Sequence, residues 1–281
     1  MRLERVRLGG AATPGGVLAL LDARARRHGL PPPAALAGDW FGSLAVLAPS
    51  VRLEPAGLPE AFDVPARLPD VPKVRPAGPI GGGWFGYLGY DLTDPTRARG
   101  RLPLAAWGWA DHVLRLDAAG CWWFESLGGG DPAEFAALLA APPPEPAGWT
   151  PSTLRRPDGA SHTKSVLACI EAIAAGELYQ ANVCTRFTGE FDGRPAELFA
   201  AGVSALRPRR AALLSGDWGA IVSLSPELFL SRRGRTLRST PIKGTLPRRS
   251  PADDGNAELL RRSAKDVAEN VMITDLVRND L

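Results

Sequence analysis

The stretch from Ala211 to Thr240 constrains the fold most. It holds four short β-prone runs, at 211–215, 220–224, 228–231 and 236–238. Arg232-Arg233-Gly234-Arg235 supplies a turn signal between the last two. Strands this close in sequence leave no length for the crossover that a parallel pair needs. The segment therefore predicts an antiparallel meander. The class this implies for the chain is α+β: an antiparallel β-sheet sandwich core with flanking helices.

Flanking segments fit that class. Arg2 to Leu8 alternates charged and apolar residues, the period of a half-buried strand. Gly15-Gly16 breaks the pattern, and Val17 opens a helix that Gly29 and the Pro31-Pro32-Pro33 run would end. Residues 38–54 are β-prone, and the Pro-rich stretch 55–79 reads as loop. In 81–91 glycines interleave with Trp84, Phe85, Tyr87 and Tyr90, which suggests a tightly packed strand with close backbone approach. Trp107, Trp109, Trp122, Trp123 and Phe124 fall in two further strand-like runs. Pro142-Pro143-Pro144-Glu145-Pro146 reads as a linker, dividing the chain into regions 1–145 and 146–281.

Beyond the linker, Ser161 is a candidate N-cap for a helix to about Ala175. Val166, Ile170 and Ile173 would form its apolar stripe, and Gly176 its stop. Residues 178–187 read as a strand. Tyr179, Ala181, Val183, Thr185 and Phe187 share one face; Gln180, Asn182, Cys184 and Arg186 share the other. That polar face is either wet surface or the wall of a cleft. Pro195 is well placed to open a helix through Leu206.

Composition excludes several classes. The net charge is +3 and its positive part is almost all arginine, with no dense basic run interleaved with aromatics, so no nucleic-acid surface is expected. No apolar stretch is long enough to span a bilayer, so no membrane partner is expected. Cys121, Cys169 and Cys184 are widely spaced, and residues 1–7 carry charges throughout without a long apolar run, so no signal peptide is expected. That suggests a reducing, cytoplasmic setting. His28, His112 and His162 stand apart from the cysteines, which argues against zinc. No Gly-rich phosphate cradle occurs.

The residues that can carry chemistry gather late in the chain. Lys243 lies in Pro241-Ile242-Lys243-Gly244-Thr245, a Pro/Gly-flanked turn. It is either a solvated surface charge or, if its amine is held neutral, a nucleophile or base. Asp266 and Glu269 are spaced i, i+3 on a helix expected over 263–281, which places both on one face. They are either a solvated face or part of a hard-cation site; magnesium takes only one or two protein carboxylates.

Four segments in order carry a resemblance. They are 176–182 (Gly-Glu-Leu-Tyr-Gln-Ala-Asn), 225–230 (Ser-Pro-Glu-Leu-Phe-Leu), 241–248 (Pro-Ile-Lys-Gly-Thr-Leu-Pro-Arg) and 265–281 (from Lys-Asp-Val-Ala-Glu to Arg-Asn-Asp-Leu). Together they resemble component I of the chorismate-utilising enzymes, the anthranilate synthase component I family. The resemblance is firm from about residue 160 onward; the 81–91 stretch also resembles the family's N-terminal region. It implies that family's fold, here incomplete, and a chorismate-binding site. Gln180 resembles the ammonia-using members, where water-using members carry lysine. Lys243 resembles the aminodeoxychorismate synthase branch of 4-aminobenzoate and folate biosynthesis, where anthranilate synthases carry alanine.

The resemblance further implies that Lys243 is the covalent nucleophile. It makes Gln180, Gly244 and Thr245 substrate contacts, Glu269 a Mg2+ ligand and Asp266 its support. It also implies a glutamine amidotransferase subunit or domain that supplies ammonia. Family members run on well beyond the Arg-Asn-Asp motif, so the sequence is expected to be the front part of a site. Alone it would be inactive. Anthranilate synthase component I and a non-catalytic remnant that only binds a partner are the alternatives.

Overall fold

A computed structural model describes residues 3–10, 12–67, 78–94, 100–150 and 152–281. In chain order its elements are β1 (Glu4–Arg7), α1 (Pro14–His28), β2 (Ala34–Trp40), β3 (Ser43–Ala48), β4 (Glu54–Ala56) and α2 (Glu60–Asp63). Then come β5 (Gly83–Leu88), β6 (Ala105–Ala110), β7 (His112–Asp117), β8 (Trp122–Ser126), α3 (Pro132–Ala140) and α4 (Gly159–Ala174). The chain continues with α5 (Pro195–Leu206), β9 (Arg210–Gly216), β10 (Gly219–Ser225), β11 (Leu228–Arg233), β12 (Thr236–Thr240), α6 (Asn256–Arg262) and α7 (Ala264–Asp280).

The fold is α+β, and every strand pair among the described residues is antiparallel. Seven strands form one sheet in the order β1-β8-β7-β3-β2-β9-β10. A three-stranded sheet runs β4-β6-β5, and β11-β12 is a separate hairpin. The meander expected over 211–240 is present, but it divides. β9 and β10 join the large sheet, whereas β11 and β12 pair only with each other. Gly234 makes the turn between them at φ 58°.

The period of two sorts the large sheet's side chains into two layers. Ala35, Leu47, Leu114, Leu116, Trp122, Phe124 and Leu213 meet α1 (Val17, Leu18, Leu21), α3 (Phe135, Leu139) and α5 (Ala196, Phe199). On the opposite face Ala34, Val46, Val113 and Leu214 meet Phe85, Ala106 and Ala110 of the small sheet. A core of this kind stabilises by about 1.5–3 kcal/mol per large side chain fully buried. It is a helix layer, a seven-stranded sheet and a three-stranded sheet.

Two compact units result: residues 1–145 with 195–281, and residues 146–194. The expected division into 1–145 and 146–281 does not describe this arrangement. β9 sits against β2, with Leu213 opposite Ala35, so the large sheet draws on both sides of the linker. Only 146–194 stands apart.

Local chemistry explains most element ends. α1 begins at Pro14 rather than Val17, because Thr13 Oγ1 accepts the Gly16 N–H at 3.1 Å and Pro14 fits the first turn. α4 begins two residues before Ser161, because the Asp158 carboxylate accepts the N–H groups of Ala160 and Ser161. It ends as expected at Gly176, whose φ of 78° closes the helix. Trp40-Phe41-Gly42-Ser43 turns β2 into β3 with positive φ at both central residues, 54° and 71°, as a tight hairpin requires. Of the loop expected over 55–79, residues 68–77 lie outside the described residues; the rest includes α2.

The strand expected over 178–187 is absent. Those residues are irregular, and isolated bridges occur instead at Thr150–Asp192 and Arg155–Thr188. A strand needs a partner edge, and within residues 146–194 none runs alongside 178–187. The stripe expected on α4 is not covered either: Ile170 is 55% and Ile173 42% exposed.

Candidate active site

The groove beside Lys243 is assembled by a loop and the start of a helix. β12 delivers the chain into 241–248, which has no regular structure. Its shape is fixed from three directions. The Ile242 N–H donates to Glu227 Oε1 at 2.8 Å. Thr245 Oγ1 donates to the Lys243 carbonyl at 3.4 Å. Asn256 Nδ2 donates to the Pro247 carbonyl at 2.7 Å. Glu227 is itself held in a turn, its N–H donating to Ser225 Oγ at 3.1 Å. Further along, the Asp253 carboxylate accepts the N–H groups of Arg249 and Ser250, and Arg248 pairs with Asp254 at 2.9 Å.

The opposite wall is α7. Ser263 caps it, accepting the Asp266 N–H at 3.2 Å, so Asp266 sits in the first turn. A Cβ at Gly244 would lie 2.7 Å from Asp266 Cγ and Oδ1 and 2.8 Å from Leu260 Cδ2. The Gly244 backbone is thus pressed onto the Asp266 carboxylate, and only a residue without a side chain fits. Lys243, Gly244 and Asp266 line one groove of about 450 Å3, with Ile242, Asn270 and Val271. Lys243 and Asp266 are half-buried.

Of the residues singled out in the sequence, Lys243, Gly244 and Asp266 are brought together here. Thr245 adjoins them as a brace of the turn. Glu269 follows Asp266 by one helical turn, half-buried and outside the groove lining. Gln180 belongs to the other compact unit, in the irregular segment after α4 that His162 Nε2 meets at the Val183 carbonyl, 3.3 Å away. Sequence reasoning did not single out Glu227. The signal was its place in Ser225-Pro226-Glu227, a turn sequence at the end of β10, but its partner lies 15 residues on.

Chemically the groove offers an amine and a carboxylate on opposite walls. Asp266 and Glu269 form a pair of hard oxygen donors on one helix face, the donor type and number a Mg2+ site takes from a protein. Among the described residues no group of three or more His, Cys, Asp or Glu side chains comes together. No helix among them is long and apolar enough to cross a membrane.

Comparison with known proteins identifies the family. Residues 56–281 match the model of a family described as chorismate binding enzyme. Aminodeoxychorismate synthase component 1 of Klebsiella aerogenes is 34% identical over 229 residues, 75% of this chain and 49% of the relative. The same-named protein of Salmonella typhimurium is 35% identical over 237 residues, 76% of this chain and 50% of the relative. Anthranilate synthase component 1 of Streptomyces coelicolor is 36% identical over 157 residues, 53% of this chain and 30% of the relative. The chain therefore spans about half the length of the aminodeoxychorismate synthase relatives it matches. Among solved structures, anthranilate synthase component I from Streptococcus pneumoniae superposes with a TM-score of 0.60 at 17% identity, covering 100% of this chain and 61% of that one. That likeness establishes the fold. With the family match across four-fifths of its length, the chain belongs to the chorismate-binding enzyme family.

Proposed function

We propose that these residues form part of an aminodeoxychorismate synthase component I. Such an enzyme converts chorismate and ammonia to 4-amino-4-deoxychorismate, on the route to 4-aminobenzoate and folate. One observation carries the reading: Lys243 stands in a braced turn, facing a groove whose other wall is Asp266. The names of the Klebsiella and Salmonella relatives support it.

The chemistry follows from the amine. Neutral Lys243 Nζ adds to ring carbon C2 of chorismate, both ring double bonds shift (C1=C2 to C1=C6 and C5=C6 to C4=C5), and the C4 hydroxyl leaves as water after protonation. Ammonia then adds at C4, both double bonds shift back, and the lysine amine departs from C2 with its electron pair. The sum is chorismate plus ammonia giving aminodeoxychorismate plus water. Covalent catalysis splits one difficult displacement into two. Gly244 and Thr245 shape the floor beneath the ring, and Gln180 is proposed as a substrate contact on its residue type. Glu269, supported by Asp266, would hold Mg2+, and the ion would offset the charge of a substrate carboxylate. The ammonia comes from a glutamine amidotransferase subunit or domain, and the protein works in the cytoplasm.

The test is Lys243→Ala in the natural full-length protein, supplied with chorismate, Mg2+ and ammonium salt near neutral pH. Loss of 4-amino product by about 100-fold or more is expected, the scale of removing a covalent catalyst. Unchanged 4-amino product would remove the covalent role. A wild-type enzyme that yields only 2-aminobenzoate would instead favour the anthranilate synthase reading.

A further inference from the structure

The small sheet carries a second site, independent of the chorismate groove. Its inner face buries Phe85, Ala106 and Ala110 in the core. Register places Glu54, Trp107, Trp109, Trp84 and Gly86 together on its other face: Glu54 and Gly86 lie opposite Trp107, and Trp84 lies opposite Trp109. Three tryptophans lie half-buried on this face, beside a small buried cluster of Ala61, Leu92 and Ala105.

The rings are anchored through their indole N–H groups. Trp107 Nε1 donates to the Ala61 carbonyl at 2.8 Å, and Trp84 Nε1 donates to the Arg67 carbonyl at 3.3 Å. Trp109 backs Trp84 edge-on, with centroids 5.3 Å apart. Gly86 makes room for the Trp107 ring: a Cβ there would come within 2.3 Å of Trp107 Cε3. Between these rings and α2 lies a groove of about 370 Å3, lined by Trp84, Trp107, Val64 and the carboxylates Glu54 and Glu60. That volume is within the usual range of small-molecule sites. Among the described residues, Arg52 stands 3.9 Å from Glu54 Oε1, beyond hydrogen-bond distance, and both side chains are about two-thirds exposed.

We infer that this groove binds a small organic cation, a guanidinium or alkylammonium. The indole faces attract a cation through the ring quadrupole, and the two carboxylates supply opposite charge and hydrogen-bond acceptors. Neither element suits an anion, and a neutral ligand would gain nothing from the two carboxylate charges.

The experiment is a titration of the whole chain with argininamide, with tetramethylammonium, and with neutral citrullinamide. The indole N–H signals of Trp84 and Trp107 are followed by NMR and assigned through Trp84→Phe and Trp107→Phe. Saturable shifts of both signals by the two cations, with none by citrullinamide, are expected. Glu54→Gln with Glu60→Gln should weaken binding by at least about fivefold, the scale of two exposed charges. Both carboxylates are exposed, so this variant keeps the fold even if a tryptophan variant does not. Absence of saturation by either cation, equal binding of citrullinamide, or unchanged affinity in the double glutamine variant would each overturn the inference.

Discussion

The tightest contact in the candidate site can be tested by adding one carbon. Gly244→Ala places a methyl 2.7 Å from Asp266 Cγ and Oδ1 and 2.8 Å from Leu260 Cδ2, where ordinary contact begins at 3.4 Å. The carboxylate must recede by about 0.7 Å. Neither way of doing so is free. Turning Asp266 off its rotamer costs about 0.5–1.5 kcal/mol. Shifting the first turn of α7 strains the Ser263 cap, which bonds the Asp266 N–H. Overpacking of this kind costs about 1–3 kcal/mol in total. The backbone adds nothing, because Gly244 is not among the positive-φ glycines. Gly255→Ala is the matched control, as nothing lies within 4 Å of its added Cβ. Equilibrium urea denaturation of the three proteins should put Gly244→Ala about 1–3 kcal/mol below wild type and Gly255→Ala within about 0.5 kcal/mol of it. Asp266→Ala should then relieve most of the penalty, giving a coupling of about 1 kcal/mol or more in a double-mutant cycle. Equal stabilities of the two alanine variants, or strict additivity with Asp266→Ala, would refute the close packing of the loop on α7.

Two further perturbations probe the scaffold. Glu125 is fully buried in β8, accepts Arg115 Nε at 2.7 Å and the Gly81 N–H at 3.3 Å, and lies 3.6 Å from Arg5. Glu125→Ala leaves Arg115 buried without its carboxylate and should cost about 3–5 kcal/mol in urea denaturation; a loss below 1 kcal/mol would contradict the pairing. Asp117 is held below the ordinary carboxylate range chiefly by the Cys121 N–H, and next by the Trp123 indole N–H at 2.7 Å. A lowered native pKa means the unfolded chain binds the proton first. This stabilisation is present above the ordinary carboxylate pKa and is lost as pH falls through the lower native value. Asp117→Asn should flatten that part of the acid limb of a stability–pH curve, and an unchanged limb would refute it.

How far the sequence could be read depended on how local each cause is. The α5 bounds follow from Pro195 at its first turn, and the end of α4 from the left-handed Gly176. α7 follows from Ser263 as cap. Each is decided within about one helical turn. Segment 178–187 failed because alternation describes a strand only if an edge exists to receive it, and that edge is not encoded in the alternating residues. The division at the linker failed similarly. Nothing within 210–216 says that Leu213 will find Ala35 nearly two hundred residues earlier.

The site shows the same limit. Lys243 was visible because Pro241 and Gly244 flank it. Asp266 and Glu269 were visible because helical spacing puts them on one face. What braces the turn around the lysine was not visible: Glu227 holds the Ile242 N–H from β10's end, and Asp266 presses against Gly244. Both contacts join segments about 15 to 22 residues apart through side chains that pattern alone leaves in solvent. The chemistry of the groove thus rests on a backbone constraint. Glu227 fixes where the loop begins, Gly244 how closely it approaches α7, and Asp266 what charge it meets there. A turn defined at three points keeps the Lys243 backbone in one place, which under the proposed function is where the amine would meet a positioned ring.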